Sequence, residues 1–455
     1  MMQAGLPSGE IAVLGLARSG TAVAKLLLQA GHRVYASDGG DSAAVRQNGD
    51  ALRLLGARVD TGAHDLGRLG RVSMVVVSPG IEPTAAPVAA ARSAGVPIVS
   101  EIEIALSFMP RARVIAVTGT NGKTTTTALI GHLLRGMGQN AVDAGNIGTA
   151  LSEVAMRPEP AEWISLEMSS FQLHDTPGLA PAVGVLTNLT PDHLDRYQNA
   201  ADYYADKSLI FANATDESKW VLNADDRQVL EMASDVRGTK YGFSTKSEAH
   251  AWIDSSSSLR VLNEPLIARG ELNLLGDHNV ANALAAALAV SVADEHFRTD
   301  AARKLMGNAM RTFNALAHRL ELVGEFGGVQ WINDSKATNV SSTLVAVEGM
   351  RRPTILLLGG RHKGEPYTAL AGAVTRNVRT VIAYGEAAPI IQTDLGQTAS
   401  VETMGKDFEA VMRRARELAK PGDVVLMSPA CSSFDMFSNY EERGARFRQL
   451  AGAGT

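Results

Sequence analysis

The sequence predicts an α/β fold of three domains, each built on a largely parallel sheet. The chain has 455 residues, which exceeds the size of one ordinary hydrophobic core and suggests about three domains. Short apolar runs alternate with longer helix-like runs, and short connections join them. Repeated strand–helix–strand units of this kind form parallel sheets that are covered by helices.

The first repeats lie within residues 1–110, where we expect a Rossmann-like domain. A strand-like run and then a helix-like run cover residues 11–29. Two further strands are predicted at residues 32–37 and 74–77, and polar residues follow each of them. In an open parallel sheet, ligands bind outside the carboxyl ends of the strands, so these polar positions are candidate ligand contacts.

The second predicted domain, residues 111–316, begins with a strand and a glycine-rich loop and is expected to be similar to a P-loop ATPase. Its first strands are predicted at residues 114–117, 163–167 and 183–188. The stretch 239–274 alternates polar and apolar residues, and we expect it to be antiparallel. An Ala-rich buried helix is predicted at residues 279–293, and further helix continues to about residue 314.

The third predicted domain, residues 317–455, is expected to be Rossmann-like as well. Its strands are predicted at residues 329–332, 354–358, 380–383 and 424–427. Helical patterns lie between these runs, which favours a parallel sheet.

Composition narrows the class of protein. The net charge of −5 gives no general basic field for nucleic acid, so we expect no nucleic-acid partner. The single cysteine, Cys431, excludes a disulfide framework and a cysteine zinc site. The first residues do not have the features of a secretion signal, and no 18-residue uncharged apolar segment predicts a membrane span. We therefore expect a cytoplasmic protein.

Residues 118–124 read Thr-Gly-Thr-Asn-Gly-Lys-Thr and predict a nucleoside triphosphate site. An apolar strand precedes them and a helix follows, so backbone N–H groups at the helix start can face a phosphate. Gly119 and Gly122 allow close approach, Lys123 can neutralise phosphate charge, and the Thr124 hydroxyl can hold Mg²⁺. Only Thr120 and Asn121 separate the glycines, whereas the usual loop has four intervening residues. An ordinary glycine-rich turn with a surface lysine is the alternative.

The turn from Gly15 to Gly20 is a second candidate anion site. It follows the first strand and opens a helix, with Arg18 and Ser19 available to assist a diphosphate. It lacks the middle glycine of the dinucleotide fingerprint, which disfavours a dehydrogenase. Asp38 ends the next strand, where an acidic residue would meet a ribose or base. A plain strand–helix connection is the alternative.

Three polar residues of the second domain are candidate metal ligands. Glu167 ends an apolar strand, where an unpaired charge is costly and a divalent cation would be a natural partner. His193 lies in a polar segment after the next strand and can ligate a metal or orient a phosphate. Lys207 stands isolated among apolar helix residues. The alternatives are a surface glutamate, a structural histidine and a lysine that snorkels to solvent.

Polar segments also follow three strands of the third domain. Asp334 and Lys336 offer a carboxylate and an ammonium group two residues apart. Residues 359–364 combine glycines with basic residues, as a cradle for a carboxylate or phosphate does. Residues 428–437 follow the last core strand. Each segment alone is compatible with a simple loop, but together they predict a binding wall.

The shortened glycine loop resembles that of the Mur ligases and the folylpolyglutamate synthases. Further segments resemble the Mur ligase family, and they read Gly-Asn-Ile-Gly from Gly145, Ser-Ser-Phe-Gln-Leu from Ser169, Asp-His-Leu-Asp-Arg-Tyr from Asp192, Asn-Asp-Ser-Lys-Ala-Thr-Asn from Asn333 and Ser-Pro-Ala-Cys-Ser-Ser-Phe-Asp from Ser428. The resemblance covers essentially the whole chain. It implies a UDP-binding domain, a central ATP-binding domain and a C-terminal domain that binds an amino acid.

The resemblance also implies a reaction. ATP phosphorylates the alanyl carboxylate of UDP-N-acetylmuramoyl-L-alanine, and the amine of D-glutamate then displaces phosphate to form an amide for peptidoglycan precursor synthesis. It further implies two Mg²⁺ ions, small-molecule partners and a monomer. A sibling ligase that adds another amino acid or extends a folate is the nearest alternative. A nucleotide-dependent regulator or a dehydrogenase is an alternative from another class.

Residue roles carry over from the resemblance by position. The catalytic set is Lys123, Glu167, His193 and Lys207. The Mg²⁺ ligands are Thr124, Glu167, His193 and Lys207, the last as a carbamylated lysine. ATP contacts are expected at Gly119, Thr120, Asn121, Gly122, Lys123, Thr124, Thr125, Asn279, Asn282, Arg319, Asp334 and Lys336. Contacts with the UDP substrate are expected at Arg18, Ser19, Gly20, Asp38, Ser78, Asn146, Ser169 and His193. Contacts with D-glutamate are expected at Thr338, Lys363, Ser433 and Phe437.

Overall fold

The structure is a computed structural model, and it describes residues 5–192, 197–274, 276–314 and 316–452. The strands of these residues pair into three sheets that follow one another along the chain, with helices between the strands. The predicted α/β fold with three largely parallel sheets is therefore confirmed.

The first sheet provides the switch point at which an open parallel sheet binds ligands. Its strands are β1 Glu10–Leu14, β2 Arg33–Asp38, β3 Arg58–Thr61, β4 Met74–Val77 and β5 Ile98–Ser100. They pair in parallel in the order β3-β2-β1-β4-β5. The helices are α1 Arg18–Gln29, α2 Ala43–Leu54, α3 Leu66–Leu69, α4 Ala86–Ser93 and α5 Glu101–Ser107. The chain reverses direction across the sheet between β1 and β4, which places the loops after these two strands together.

The second sheet carries the glycine-rich loop on a central strand. Its strands are β6 Arg113–Thr118, β7 Ala141–Gly145, β8 Trp163–Glu167, β9 Val183–Leu186, β10 Lys219–Asn223, β11 Thr239–Ser244, β12 Ala251–Ile253, β13 Ser258–Val261 and β14 Glu264–Ala268. Their order is β14-β13-β12-β11-β10-β9-β6-β8-β7. The helices are α6 Lys123–Gly136, α7 Leu151–Ala155, α8 Ser170–His174, α9 Ala200–Ser208, α10 Arg227–Met232, α11 Asp277–Ala293 and α12 Asp300–Thr312, with 3₁₀ turns at Leu209–Phe211, Arg269–Glu271 and Glu295–Arg298.

The expectation of antiparallel structure over residues 239–274 was partly wrong. Strand β11 pairs in parallel with both β10 and β12, and antiparallel pairing begins only between β12 and β13 and continues to β14. Alternation of polar and apolar residues shows that one face of a strand is buried, but it does not set the direction of the neighbouring strand.

The third sheet is parallel except for one hairpin at its edge. Its strands are β15 Glu321–Phe326, β16 Val329–Asn333, β17 Thr354–Gly359, β18 Val378–Tyr384, β19 Val401–Thr403 and β20 Val424–Met427. Their order is β15-β16-β20-β17-β18-β19, and β15 and β16 pair antiparallel. The helices are α13 Val340–Glu348, α14 Ala371–Asn377, α15 Ala388–Leu395, α16 Phe408–Leu418 and α17 Tyr440–Gly452, with a 3₁₀ turn at Tyr367–Leu370.

The cores form on both faces of the parallel strands. Every residue of β8, β17 and β20 is buried, as expected for mainly apolar strands that helices cover on both faces. Helix α11 is also apolar, and its residues 283–290 are buried, which confirms the predicted buried helix. None of the described helices is both long and apolar enough to cross a membrane.

Contacts along the chain define two compact units. The first comprises Met1–Leu189, Ala201–Ala268 and Ala283–Met310, and the second comprises Thr190–Ala200, Arg269–Asn282 and Arg311–Thr455. Within the first unit, polar contacts join the domain of the first sheet to the domain of the second sheet. A Glu101 carboxylate oxygen accepts a hydrogen bond from the Ser152 amide at 2.5 Å, and the Ser100 and Thr176 hydroxyls lie 2.7 Å apart. The first two domains are thus held together through α5 and the residues that it faces.

Gly184 on β9 provides the space for a large buried side chain of the second domain. It lies opposite Trp220 of β10, and a Cβ atom at this position would come within 2.4 Å of the indole ring. The Trp220 ring also packs edge-on against Phe211, with the ring centroids 4.8 Å apart, so it is held from the other side as well.

We predict that Gly184→Ala lowers the free energy of unfolding by about 1–3 kcal/mol through overpacking. Gly242→Ala is the matched control, since Gly242 is also a strand glycine and its nearest neighbour would be 3.4 Å from the new Cβ. The control should be neutral or slightly stabilising. Urea denaturation of both variants measures the difference, and equal midpoints would contradict this account of Gly184.

Candidate active site

The glycine-rich loop is a tight strand-to-helix turn at the end of β6. Gly119 has φ 138° and Gly122 has φ 81°, both in the region that favours glycine. A Cβ atom on Gly119 would lie 2.0 Å from the Thr187 hydroxyl oxygen, so any side chain there would collide with the neighbouring strand end. Gly122 is the N-cap of α6, where it offers no side chain to cover the helix start. This geometry suits a phosphate group at the positive end of a helix dipole.

The end of strand β9 holds this loop in shape. The Asn121 amide donates to the Asn188 side-chain oxygen at 2.8 Å, and the Asn188 side-chain NH₂ donates back to the Asn121 carbonyl at 2.9 Å. The Thr187 hydroxyl donates to the same carbonyl at 2.6 Å, and the Thr120 amide donates to the Asn188 carbonyl at 2.9 Å. The glycine-rich loop is therefore pre-formed by its hydrogen bonds with Thr187 and Asn188.

Two lysine ammonium groups meet at one carbonyl oxygen of the loop. Lys123 donates to the Gly119 and Thr120 carbonyls at 2.9 and 2.7 Å, and Lys207 donates to the Gly119 carbonyl at 2.8 Å. Lys207 is 1% exposed, and its ammonium group lies 4.4 Å from the centre of the Tyr203 ring. The alternative of a snorkelling surface lysine at position 207 is therefore wrong.

Glu167 lies beside the loop with one oxygen atom unsatisfied. It is paired in register with Val117 of β6 and Gly145 of β7, and it is 1% exposed. The Asn146 side chain donates to Oε1 at 2.9 Å, whereas buried Oε2 has no hydrogen-bond partner among the described residues. A buried carboxylate oxygen without a partner is costly unless a cation completes it. Glu167 thus fits a divalent cation, and the alternative of a surface glutamate is wrong.

No three His, Cys, Asp or Glu side chains within the described ranges form a preassembled metal cluster. Mg²⁺ commonly takes one or two carboxylates and completes its shell with substrate phosphates and water. A single buried carboxylate next to the glycine-rich loop is consistent with this mode of Mg²⁺ binding. His193, the other predicted protein ligand, lies outside the described residues.

On the first sheet, Asp38 shapes the loop between β1 and α1. Its two carboxylate oxygens accept from the Leu16 and Gly40 amides, each at 2.7 Å. Gly20 must be a glycine, because a Cβ atom would lie 1.9 Å from the Gly15 carbonyl oxygen. Helix α1 begins without a side-chain cap, next to exposed Arg18. This helix start, with Arg18 beside it, has the character of an anion site.

Three of the other residues predicted to contact the UDP substrate, Ser78, Ser169 and Asn146, have structural partners. The Ser78 hydroxyl donates to the Gly15 carbonyl at 3.4 Å, which ties the ends of β4 and β1 together. The Ser169 hydroxyl accepts from the Gln172 amide at 3.2 Å and caps α8. Asn146 is held by Glu167, and Ser19 is half-buried in the first turn of α1.

In the second unit, Arg319 lies on a conformationally strained turn. His318 and Leu320 flank it with φ 64° and 43°, a region that non-glycine residues seldom occupy. The Leu320 amide donates to Asp334 at 3.2 Å, and the Lys336 amide donates to the His318 carbonyl at 3.1 Å. The segment that follows β16 therefore holds this turn in place.

Asp334 is a buried carboxyl group. It accepts a hydrogen bond from the Ser428 hydroxyl at 2.7 Å. Burial raises the pKa of Asp334 to about 7, although the hydrogen bonds from Ser428 and the Leu320 amide, and to a smaller extent the charges of nearby arginines, oppose that rise. Lys336 lies over the ring of Tyr440, 4.9 Å from its centre. Asn279 and Asn282, predicted ATP contacts, are buried one turn apart on α11 and joined by a 3.1 Å hydrogen bond.

The predicted amino-acid contacts differ in how they are placed. Lys363 lies 4.0 Å from the Asp192 carboxylate, which also accepts from the Asn339 side chain at 2.9 Å. Ser433 is buried after β20, and Thr338 is half-buried after β16. The half-buried Phe437 ring packs edge-on against the core residue Phe408, with the ring centroids 5.3 Å apart. Its side chain therefore has a packing role, whereas its backbone lies beside Ser433.

Arg443 on α17 was missed by sequence reasoning. It is fully buried, and its guanidinium group donates to the Ser335 carbonyl at 2.8 Å, the Ser335 hydroxyl at 2.9 Å and the Cys431 carbonyl at 3.1 Å. It therefore joins the loops after β16 and β20, which carry Asp334 and Ser433. No sequence signal distinguishes Arg443 from other helix arginines.

Comparison with known families matches each third of the chain. Residues 9–100 match the profile described as "Mur ligase MurD-like, N-terminal domain", residues 117–290 match "Mur ligase middle domain", and residues 318–431 match "Mur ligase, glutamate ligase domain". The three matching profiles define the chain as a ligase assembled from α/β domains.

Relatives that align over nearly the full length of the chain identify the family of ligases to which it belongs. UDP-N-acetylmuramoylalanine–D-glutamate ligase from Pelotomaculum thermopropionicum is 36% identical over 448 residues, covering 97% of each chain. The ligase of the same name from Pelobacter propionicus is 40% identical, covering 96% of this chain and 97% of the relative. The chain belongs to the Mur ligase family, which confirms the resemblance noted from its motifs.

Solved structures show the same fold at low sequence identity. A pseudomurein peptide ligase type C from Methanothermus fervidus is 18% identical with a TM-score of 0.61, covering 97% of this chain and 99% of that one. MurF from Acinetobacter baumannii is 14% identical with a TM-score of 0.62, covering 92% and 91%.

We predict that Asp334→Asn changes how stability depends on pH. Because the folded pKa of Asp334 is about 7, above the ordinary 3.8, the unfolded chain releases this proton first as pH rises. The native protein should therefore lose up to a few kcal/mol of stability between about pH 4 and 7, at about 1.4 kcal/mol per pKa unit, and the variant should lack this loss.

Urea unfolding of both proteins at pH 5 and pH 7.5 gives the change in unfolding free energy between the two pH values for each protein. The effect is the difference between these two changes. Glu248→Gln, at an exposed position, is the control for removing a carboxylate without burial. If the unfolding free energies of the native protein and of Asp334→Asn change with pH in the same way, Asp334 does not keep its proton in the folded protein as we expect.

Proposed function

We propose that this chain joins D-glutamate to UDP-N-acetylmuramoyl-L-alanine at the expense of ATP, in cytoplasmic peptidoglycan precursor synthesis. The observation that carries the proposal is its full-length similarity, at 36% and 40% identity, to relatives named for this activity. The pre-formed phosphate loop and the buried Glu167 beside it agree with a reaction that uses a nucleoside triphosphate.

The chemistry requires an activated carboxylate. A carboxylate is a poor electrophile, so the alanyl carboxylate first attacks the γ-phosphorus of ATP and ADP leaves. The uncharged amine of D-glutamate then attacks the carbonyl carbon of the acyl phosphate, and inorganic phosphate leaves as the amide forms. Both steps bring anions together, so the protein's main tasks are to neutralise charge and to align the reactants.

Most of the groups that we assign to the phosphoryl transfer belong to the first unit. The start of α6, with Gly119 to Thr125, would hold the triphosphate, and Lys123 would leave the Gly119 and Thr120 carbonyls to neutralise phosphate charge. Thr124, Glu167, His193 and a carbamylated Lys207 would hold two Mg²⁺ ions, which neutralise phosphate oxygens when bound. Carbamylation converts the Lys207 cation into an anion and thereby makes a lysine suitable for a metal site.

Substrate contacts are assigned by domain. The helix start at Arg18, Ser19 and Gly20 would bind the UDP group, with Asp38 and Ser78 shaping its loops and with Asn146, Ser169 and His193 on the side of the muramoyl group. Asn279, Asn282, Arg319, Asp334 and Lys336 would contact ATP. Thr338, Lys363, Ser433 and the backbone at Phe437 would contact the carboxylates of D-glutamate.

We expect the enzyme to act as a monomer, and sedimentation of the purified protein can test this oligomeric state.

The activity has a direct test. Purified protein with ATP, Mg²⁺ and UDP-N-acetylmuramoyl-L-alanine should release phosphate only when D-glutamate is added, and the product should gain the mass of one glutamyl residue. L-glutamate, L-lysine, meso-diaminopimelate and a folate acceptor serve as the comparison panel. Release that depends on another amino acid, and not on D-glutamate, would assign the chain to a sibling activity.

We predict that Lys207→Ala reduces activity by about 100-fold and that excess bicarbonate does not restore it, because the carbamate has no nitrogen on which to form. Lys219→Ala is the matched control, since Lys219 also donates to a backbone carbonyl, that of Val292, at 2.7 Å. After equilibration with ¹³C-bicarbonate, the native protein should show a carbamate carbon resonance that Lys207→Ala lacks. An active variant, or identical spectra, would refute the carbamate.

A further inference from the structure

Two loops of the C-terminal domain that carry predicted amino-acid contacts lie side by side. The β17 loop, residues 360–364, contains Lys363, and the β20 loop, residues 428–433, contains Ser433. A short backbone bridge joins them: the Arg361 amide donates to the Ser432 carbonyl at 2.9 Å, and the Ser432 amide donates to the Arg361 carbonyl at 3.2 Å. Gly360 permits this approach, since a Cβ atom there would lie 2.3 Å from the Ser432 carbonyl oxygen.

A tyrosine hydroxyl connects the same two loops on their inner side. The Tyr367 hydroxyl lies 2.9 Å from the Cys431 sulfur and 3.0 Å from His362 Nδ1. Burial raises the pKa of the Cys431 thiol to about 12, so the thiol keeps its proton. It can therefore donate to the tyrosine oxygen while the tyrosine hydroxyl donates to His362, the residue next to Lys363.

Tyr367 is itself rigidly held. Its ring is 1% exposed and belongs to the hydrophobic core that contains Leu356, Leu358 and Leu370. Its amide donates to the Asp394 carboxylate at 2.8 Å. Between themselves the loops have the backbone bridge and a 3.3 Å hydrogen bond that the Ser432 hydroxyl donates to the Arg361 carbonyl, both at the same two residues. A hydroxyl on a fixed ring can set the position of both loops at a second point.

We infer that Tyr367 is a positioning residue for the amino-acid substrate, whose hydroxyl fixes the spacing between Lys363 and Ser433 by bridging His362 and Cys431. The inference rests on the proposed function, because it takes both residues as contacts for a dicarboxylic amino acid. A flexible substrate with two carboxylates binds well only when the groups that hold it keep a fixed separation. The Tyr367 ring is buried in the core, so Tyr367 acts through the loops.

Tyr367→Phe removes only the bridging hydroxyl. The KM for D-glutamate should rise about fivefold, the effect of one lost hydrogen bond, while the KM values for ATP and the UDP substrate stay within twofold. His362→Ala, a change at a half-buried loop residue that leaves the core intact, should raise the same KM, and the double variant should be no worse than either single one. Tyr384→Phe is the matched control, since the Tyr384 hydroxyl is also buried but makes no hydrogen bond to residues 360–364 or 428–433.

An unchanged KM for D-glutamate in Tyr367→Phe, or additive effects of the two substitutions, would overturn the inference. Hydrogen exchange gives a second reading that does not depend on the reaction: the Arg361 and Ser432 amides should exchange faster in Tyr367→Phe than in Tyr384→Phe. If native protein shows no D-glutamate-dependent phosphate release, the proposed function fails. In that case the hydrogen-exchange experiment still tests whether the Tyr367 hydroxyl holds the two loops together. Equal exchange rates of the Arg361 and Ser432 amides in the two variants would refute that role.

Discussion

The hydrogen bonds between the glycine-rich loop and the end of strand β9 are the constraint on which the first unit's site depends. A loop with only two residues between its glycines has little structure of its own, so Thr187 and Asn188 hold it from the neighbouring strand. Because β6 lies between β8 and β9, the same strand places the loop beside Glu167 on one side and Asn188 on the other. The site therefore depends on the register of three parallel strands.

Much of this arrangement could be predicted from the sequence because its signals are local. Gly119, Gly122 and Lys123 follow an apolar strand directly, and the strands at 74–77, 163–167 and 424–427 have the bounds that their apolar runs predict. The place of Glu167 at the end of an apolar strand favoured a paired charge there, with a surface glutamate as the alternative. The sequence also left open whether Lys207 faces solvent, because a single lysine on an amphipathic helix is compatible with either answer.

The C-terminal domain was harder to predict because its contacts join segments that are distant in sequence. Arg443 holds residues that lie 108 and 12 positions away along the chain, and Tyr367 reaches Cys431 across 64 positions. No periodicity or spacing encodes such pairs. The direction of β11 and β12 was misjudged for a related reason, since a strand's own sequence describes its faces and not the orientation of the strand beside it.

Arg443 also determines which substitutions this protein can accept. No carboxylate within the described residues pairs with it, and three of its nitrogens instead reach a hydroxyl and two carbonyl groups in fixed directions. The planar geometry of the guanidinium group matters here at least as much as its charge, and an ammonium group has a different shape and a shorter reach. A lysine at this position would keep the charge and still leave buried carbonyls unsatisfied. For a protein engineer, position 443 is one where the usual conservative exchange is not conservative.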